Sequence, residues 1–151
     1  MYDQILVPTD GSDGTSRAVD QAVDLAATFD ATLHTIYVVD NASLPPDVSA
    51  GSILEALERT GEEATDSVVT MAESAGVDVK SEVLHGTPYR TIVEYAEEAD
   101  IDLIVMGTHG RSGLGRYLLG SVTEKVVRIA EVPVLTVRMT DDDAPEPEEL
   151  V

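Results

Sequence analysis

The sequence predicts a doubly wound α/β fold, in which a five-stranded parallel sheet lies between helices on both faces. Apolar runs alternate with amphipathic stretches along the 151 residues, which is the pattern of strands interleaved with helices. One run, residues 103–106, is apolar without interruption, as strands covered on both faces are. In folds of this class, ligands bind beyond the carboxyl ends of the strands, where the strand order reverses.

The first half of the chain supplies two strands and two helices. Residues 4–7 form a short apolar run that ends at Pro8, and residues 32–39 are rich in β-branched and aromatic side chains, so we expect a strand at each. Residues 13–29 carry apolar side chains at helical spacing, and residues 52–75 do so after a proline-containing loop. The predicted apolar stripe of this second helix, with its C-cap, comprises Ile53, Leu57, Ala64, Val68, Met71, Ala75 and Gly76.

The second half continues the alternation. Residues 77–84 alternate polar and apolar side chains, which predicts a strand at an edge of the sheet. Thr87 and Pro88 suit the N-cap and the first position of a third helix. A fourth helix is predicted over residues 121–130, and a fifth strand over residues 132–137. The predicted buried face of the third helix comprises Ile92, Val93, Ala96 and Ala99.

The chain is strongly acidic, with 29 acidic against 9 basic residues and a formal net charge of −20. Such a surface repels nucleic acid and anionic lipid, and no apolar run reaches the ~20 residues that a membrane helix needs. The charge is typical of a halophilic protein, whose acidic surface is solvated in concentrated salt; a basic partner is the alternative. We expect residues 1–139 to form one folded domain and residues 140–151 an acidic, disordered tail.

The residue types present limit the chemistry. The absence of cysteine excludes disulfides, thiolate metal sites and thiol catalysis, and it fits a cytoplasmic protein, as does an N-terminus without the pattern of a signal peptide. The three histidines, His34, His85 and His109, lie too far apart in the sequence for close metal-ligand spacing. No Gly-x-Ser-x-Gly elbow and no evident nucleophile–base pair is present, so the sequence does not indicate efficient catalysis.

A glycine-rich loop follows the fourth predicted strand. Five glycines fall within the fourteen residues from Gly107 to Gly120, and backbone N–H groups in such loops can form an anion-binding concavity. Ser121 then begins a helix, whose N-terminus favours phosphate. Arg111 and Arg116 add positive charge to the loop. This combination predicts a phosphate site; a flexible loop with solvated arginines is the alternative.

A second loop with a candidate ligand-binding residue follows the first strand. Asp10 lies at the end of that strand, where it could approach a metal–phosphate complex or could cap a turn, as Asp and Ser often do. The chain contains no Gly-Lys-Ser/Thr, so it has no Walker A motif. No Gly-x-Gly-x-x-Gly follows the first strand, which disfavours dinucleotide binding.

Together these residues resemble the ATP-binding branch of the universal stress protein family. The spacing Gly-x₂-Gly-x₉-Gly-Ser, from Gly107 to Ser121, matches the nucleotide motif of that family. Residues 5–12 resemble its first strand and loop, and residues 102–111 look like its fourth strand and the loop that follows. The resemblance covers residues 2–138 and implies the strand order 3-2-1-4-5, with the ligand between strands one and four.

The resemblance also implies a ligand and its neighbours. ATP with Mg²⁺ or Mn²⁺ is the implied cofactor, and Asp10 is the nearest candidate to approach the metal. The family commonly forms homodimers through its last strand, here the strand from Val132 to Val137, whose apolar edge would otherwise be exposed. The implied nucleotide neighbours are Pro8, Thr9, Asp10, Val38, Met106, Gly107, His109, Gly110, Arg111, Gly120, Ser121, Val122 and Thr123.

Within that set, the resemblance implies different roles. The backbone of Val38 resembles the segment that meets adenine, and Met106 and Gly107 flank the ribose. The residues from His109 to Arg111, together with the four at the start of the last helix, line the phosphate path.

The function expected from these observations is a nucleotide-responsive stress or signalling module without efficient catalysis, in which ATP shifts a conformational or oligomeric equilibrium. A slow ATPase or adenylyl-transfer enzyme is the first alternative, because residues 13–16 are faintly similar to a pyrophosphate-binding loop. A nucleotide-independent partner-binding protein is the second, although the intact glycine motif argues against it. A phospho-receiver domain should carry a lysine after its last strand, where this chain has Arg138 and Met139.

Overall fold

The computed structural model describes residues 1–40, 50–108 and 120–138 of the chain. In those ranges five strands alternate with four helices in the predicted order. The loop before the second helix, most of the glycine-rich loop and the acidic tail lie outside the described residues. The elements are β1 (Gln4–Pro8), α1 (Asp13–Phe29), β2 (Thr32–Val39), α2 (Ala50–Ser74), β3 (Val79–His85), α3 (Pro88–Glu98), β4 (Leu103–Gly107), α4 (Ser121–Ile129) and β5 (Val134–Val137).

The five strands form one parallel sheet in the order β3-β2-β1-β4-β5. The predicted doubly wound α/β class and strand order are thereby confirmed. β1 lies between β2 and β4, so the strand order reverses at β1, which is the position where folds of this class bind ligands. β3 lies at one edge of the sheet, as its polar alternation predicted.

Two separate cores cover the two faces of the sheet, because successive side chains of a strand face opposite sides. Ile5 and Val7 pack with buried residues of α1 and α2, whereas Leu6 packs with buried residues of α3 and α4. All three of these β1 side chains are completely buried. Each pair of helices is therefore held by one core, and the carboxyl ends of the strands are left between the two helical layers.

The buried face of α2 differs from the predicted stripe. Val68 is buried as predicted, but Met71 and Ala75 are exposed, and Ala72 is buried in their place. Two small residues, Gly61 and Thr65, continue the buried stripe toward the N-terminus of the helix. The prediction was wrong at Met71, which lies beside the buried stripe of Gly61, Thr65, Val68 and Ala72, and at Ala75, which follows the last residue of the helix, Ser74.

Gly61 permits this close approach of α2 to the sheet. A Cβ atom at Gly61 would lie 2.7 Å from Cδ1 of Tyr37 and 3.2 Å from Cγ1 of Val83. Both distances are shorter than ordinary carbon–carbon contacts of ~3.5–4.0 Å. The rings and methyl groups of β2 and β3 therefore occupy the space that any larger residue would need.

His34 is a buried polar residue of β2, with both ring nitrogens in hydrogen bonds. Its Nε2 lies 2.7 Å from Oε1 of Gln4, and its Nδ1 lies 2.8 Å from the hydroxyl of Tyr95. Since a carbonyl oxygen only accepts, Nε2 carries the proton and Nδ1 accepts from Tyr95. Burial, and to a lesser extent the charge of Lys80, lowers the pKa of His34. The histidine is thus a structural group of the core, remote from the carboxyl ends of the strands.

Gly61→Ala should destabilise the protein, although alanine is the better helix former. We expect a loss of about 1–3 kcal/mol in the free energy of unfolding, because the added methyl group overpacks the contact with Tyr37. Gly51→Ala is the matched control in the same helix, since a Cβ there meets nothing within 4 Å. Gly51→Ala should leave stability unchanged or raise it by up to ~1 kcal/mol. Urea unfolding measures both, and equal effects would contradict the close approach at Gly61.

The buried state of His34 should make the fold sensitive to mild acid. The folded pKa lies below the ordinary value of 6.5, so the unfolded state binds more protons once the pH falls below that value. The stabilising contribution of neutral His34 is therefore complete above pH ~6.5 and declines as the pH falls toward the folded pKa. Urea unfolding between pH 8 and 5 should show a steeper loss of stability for the wild type than for His34→Gln. Parallel curves would contradict this assignment.

Candidate functional site

A cleft of about 660 Å³ lies at the carboxyl ends of the central strands. Its floor is formed by the ends of β1, β2 and β4, and its walls by the first turns of α2, α3 and α4. The volume lies within the range of ~300–1,000 Å³ that small-molecule sites occupy. The cleft therefore has the position and the size of a ligand site in a doubly wound fold.

The loop after β1 forms one side of the cleft and is held by its own side chains. The N–H of Thr9 donates to the carbonyl of Ile36 at 2.9 Å, and the Thr9 hydroxyl accepts from the N–H of Gly11 at 3.1 Å. Oδ1 of Asp10 accepts from both the backbone N–H and the hydroxyl of Ser12, at 2.9 and 2.5 Å. One carboxylate oxygen of Asp10 thus stabilises the turn, which is the capping role weighed from the sequence.

The backbone of Val38 faces the cleft. The ladder between β1 and β2 ends at Pro8 and Ile36, where the carbonyl of Ile36 points toward β1. The carbonyl of Val39 points the other way and accepts from the N–H of Gly86. Because backbone groups alternate along a strand, the N–H and C=O of Val38 point toward β1 but lie beyond its end. Val38 thereby presents one donor and one acceptor to the cleft.

The opposite end of the cleft is the N-terminus of α4. Gly120 is the N-cap, and its carbonyl accepts the N–H of Glu124 at 2.9 Å in the first α-helical hydrogen bond. The N–H groups of Ser121, Val122 and Thr123 precede that bond, so the helix itself does not satisfy them. These three residues line the cleft. Free N–H groups and the positive end of the helix dipole make this end of the cleft suited to an anion.

Thr123 attaches this helix N-terminus to the sheet. Its buried hydroxyl donates to the carbonyl of Gly107 at 2.8 Å. The hydroxyl proton is therefore committed to the protein, and only the backbone N–H of Thr123 can donate to a ligand. Of the two hydroxyls at the start of this helix, only that of the exposed Ser121 is left to contact a ligand.

The structure brings most of the expected site residues together and adds others. His109, Gly110 and Arg111 lie outside the described residues. The ten expected residues that line the cleft are Pro8, Thr9, Asp10, Val38, Met106, Gly107, Gly120, Ser121, Val122 and Thr123. The lining residues that sequence reasoning did not identify are Thr15, Ile36, Tyr37, Val39, Asp40, Ile53, Leu57, Pro88 and Ile92. Their apolar members were assigned to the hydrophobic core, and helical spacing gives no signal that distinguishes a cleft wall from a core face.

Four of the additional residues form what we call the apolar slot. Ile53 and Leu57 lie on the first turns of α2, whereas Pro88 and Ile92 lie on the first turns of α3. The two helices cover opposite faces of the sheet. The slot therefore lies across the carboxyl ends of the strands, above the end of β2. Such a pair of apolar walls can enclose a flat, apolar group.

The charges along the cleft are acidic. Asp10 and Asp40 line it, and its lining within the described ranges includes neither lysine nor arginine. No cluster of three or more metal-ligating side chains occurs in the part of the chain that the structure describes. Within this described lining, the groups suited to hold an anion are the N–H groups of α4. Among the helices seen here, none is long and apolar enough to span a membrane.

Comparison with known proteins gives concordant results. The profile of the universal stress protein family matches residues 1–138. The chain is 47% identical to the universal stress protein MJ0531 of Methanocaldococcus jannaschii over 141 residues, which is 91% of this chain and 83% of that protein. The solved structure of the hypothetical protein MJ0577 superposes with a TM-score of 0.82 at 29% identity, covering 93% of this chain and 99% of the other. A universal stress protein solved in complex with cAMP superposes with a TM-score of 0.73 at 32% identity, covering 92% and 99%.

Proposed function

The chain belongs to the universal stress protein family, and on that premise we propose that it binds an adenine nucleotide, ATP, in the cleft at the carboxyl ends of its strands. The observation that carries the proposal is the arrangement of the cleft, with an apolar slot at one end and the N-terminus of α4 at the other. A nucleotide has the same division between a flat base and an anionic phosphate chain. The complex of a similar family member with cAMP supports the same ligand class.

The apolar end of the cleft suits adenine. A base between the walls of the apolar slot would reach the backbone of Val38, which offers one N–H and one C=O toward the cleft. Adenine carries an acceptor at N1 beside a donor at N6, so one residue can satisfy both. Met106 and Gly107 lie between this end and α4, which is the place for the ribose in the proposed pose.

The polar end of the cleft suits the phosphates. The N–H groups of Ser121, Val122 and Thr123 would donate to phosphate oxygens, with help from the dipole of α4. We further propose that His109, Gly110 and Arg111 continue the phosphate path, on the strength of the glycine motif. Nearby Asp10 would not by itself hold a metal ion, because no cluster of three or more metal-ligating side chains surrounds it within the described residues.

A Mg²⁺ or Mn²⁺ ion bound with ATP would therefore depend mainly on phosphate oxygens and water. This is a common arrangement for Mg²⁺, which uses few protein carboxylates when a phosphate chain is present. When bound, the ion would neutralise part of the phosphate charge. In the described lining, the carboxylates that could approach such an ion are those of Asp10 and Asp40.

The proposed role is that of a cytoplasmic module whose nucleotide-bound state is recognised by a partner protein. The acidic surface suits a cytoplasm that contains concentrated salt. ATP would favour one conformational or oligomeric state over another to the extent that it binds that state more tightly. Residues 1–139 would form the binding domain, with residues 140–151 as an acidic appendage. Steady ATP turnover well above that of a variant with an altered phosphate end would instead support the slow ATPase.

Ser121→Glu should abolish tight ATP binding and leave the fold intact. The new carboxylate would lie at the N-terminus of α4, where it stabilises the helix but occupies and repels the phosphate position. We expect ATP affinity to fall by at least about tenfold, since hydrogen bonds to charged groups contribute ~1.5–3 kcal/mol each. Titration calorimetry in concentrated salt with magnesium measures the loss.

The matched control for that experiment is Ser81→Glu. Ser81 is an exposed residue of the edge strand β3, so the substitution and the change in net charge are the same but the cleft is untouched. ATP affinity of Ser81→Glu should remain within about twofold of the wild type, a difference below ~0.5 kcal/mol. If the wild type does not bind ATP, the proposed function is wrong, and the partner-binding alternative becomes the better account.

We also propose that the chain forms a homodimer through β5. β5 is an edge strand of the sheet as described, and an exposed edge favours pairing with a second copy. Three of the five large hydrophobic side chains that the described residues leave exposed belong to β5 or to α4, the helix before it: Val127 and Ile129 of α4 are 44% and 45% exposed, and Leu135 of β5 is 37% exposed. A two-fold pairing of β5 strands would cover these side chains.

Leu135→Asp should convert the dimer to a monomer. A charge placed in the paired edge would have to be desolvated in the dimer but not in the monomer. Met71→Asp is the matched control, because Met71 is equally exposed at 37% but lies on α2. Sedimentation equilibrium in concentrated salt should show dimers for the wild type and for Met71→Asp. A wild-type monomer, or a dimer that persists in Leu135→Asp, would contradict pairing through β5.

A further inference from the structure

The two walls of the apolar slot belong to different layers of the fold. Ile53 and Leu57 come from α2, which packs on one face of the sheet, and Pro88 and Ile92 come from α3, which packs on the other. The sheet edge alone does not fix the distance between two helices on opposite faces. The width of the slot therefore depends on contacts that connect α2 with the segment leading into α3.

Glu58 and His85 make such a contact. Oε1 of Glu58 lies 3.3 Å from Nε2 of His85. Glu58 directly follows Leu57 of the slot and lies about one turn before Gly61, where α2 packs closely against the sheet. His85 is the last residue of β3 and is paired with Val39 in the ladder.

The connection from His85 to the opposite wall is short and tightly held. Gly86 follows at a φ of +149°, donates its N–H to the carbonyl of Val39, and has no room for a Cβ, which would lie 2.6 Å from Oγ1 of Thr91. Pro88 of the slot comes two residues later. The hydrogen bond of Gly86 to Val39 and the two-residue spacing to Pro88 place the end of β3 directly beside the start of the opposite wall.

The charges of α2 make His85 a specific partner for Glu58. On the helix surface Glu58 has two acidic neighbours, Glu55 three residues before it and Glu62 four residues after it, and like charges at these spacings repel. Nε2 of His85 supplies the favourable polar contact that the helix does not provide at this position. The contact keeps the N-terminal part of α2 close to the end of β3.

We propose that the Glu58–His85 pair sets the width of the apolar slot, and that these positioning residues thereby select a flat, unsubstituted adenine over bulkier bases. The inference rests on the proposed nucleotide site and adds a determinant of its specificity. The pair does not contact the base. It acts by holding Leu57 and Pro88 at the spacing of a flat ring, so that this spacing is preorganised before the ligand arrives.

The test compares ligands that probe different ends of the cleft. Titration calorimetry with ATP, with inorganic tripolyphosphate and with N6-benzyl-ATP is applied to the wild type, Glu58→Gln, His85→Gln and the double variant. Both single variants should weaken ATP binding by about three- to fivefold, the scale of one partly exposed contact between polar side chains. Tripolyphosphate affinity should stay unchanged, and the preference for ATP over N6-benzyl-ATP should narrow. The double variant should be no weaker than either single variant, because one interaction is lost in all three.

Glu55→Gln is the matched control, because it removes the same charge from an exposed position of the same helix. It should change none of the three affinities. ATP affinity that is equal in all variants, or that falls together with tripolyphosphate affinity, would overturn the inference while leaving the nucleotide site in place. A wild type that binds tripolyphosphate but not ATP would overturn the apolar slot as a base site, and a wild type that binds neither would overturn the proposed function as well.

Discussion

A buried hydrogen bond from the hydroxyl of Thr123 to the carbonyl of Gly107 holds the N-terminus of α4 against the end of β4. A buried carbonyl without a partner costs about 1–3 kcal/mol, so this bond strongly restricts where the helix can begin. Thr108 extends the connection, since its carbonyl accepts from Gly120 and its N–H donates to Val137 of β5. The end of the cleft that we propose binds phosphate and the edge proposed for dimerisation are therefore built on one short network.

The apolar end of the cleft depends on helix length instead. α2 has 25 residues and β2 has 8, which correspond to about 37 Å of helix and about 26 Å of strand. The helix therefore extends past the sheet, and the residues near its N-terminus, Ile53 and Leu57, become a wall of the cleft. The close approach at Gly61 keeps this overhang near the end of β2. The cleft thus lies between α4, whose N-terminus is held at the end of β4, and α2, whose N-terminal turns extend past the end of the sheet.

Local patterns in the sequence predicted the fold class and every element, because hydrophobic periodicity and strand ends are local features. The residues expected around the cleft came mainly from the family resemblance, and ten of them line it. The local patterns did not predict the buried face of α2, where Gly61 and Thr65 face the sheet and Met71 does not. That choice is made by Tyr37 and Val83 on other elements, whose bulk favours small partners. The contact of Glu58 with His85 also joins residues 27 positions apart, and no spacing rule relates such pairs.

The acidity of the chain and an anion site within it are compatible under one physical condition. The net charge is −20, and Asp10 and Asp40 line the cleft itself, so in dilute salt the field of the protein opposes a phosphate chain. At 1 M salt the screening length falls to about 3 Å, which is close to the length of an N–H···O hydrogen bond. Long-range repulsion then fades, whereas direct contacts with the N-terminus of α4 remain. The acidic surface and the glycine motif are therefore both consistent with a protein that binds phosphate in concentrated salt. The acidity does not require a basic partner as well.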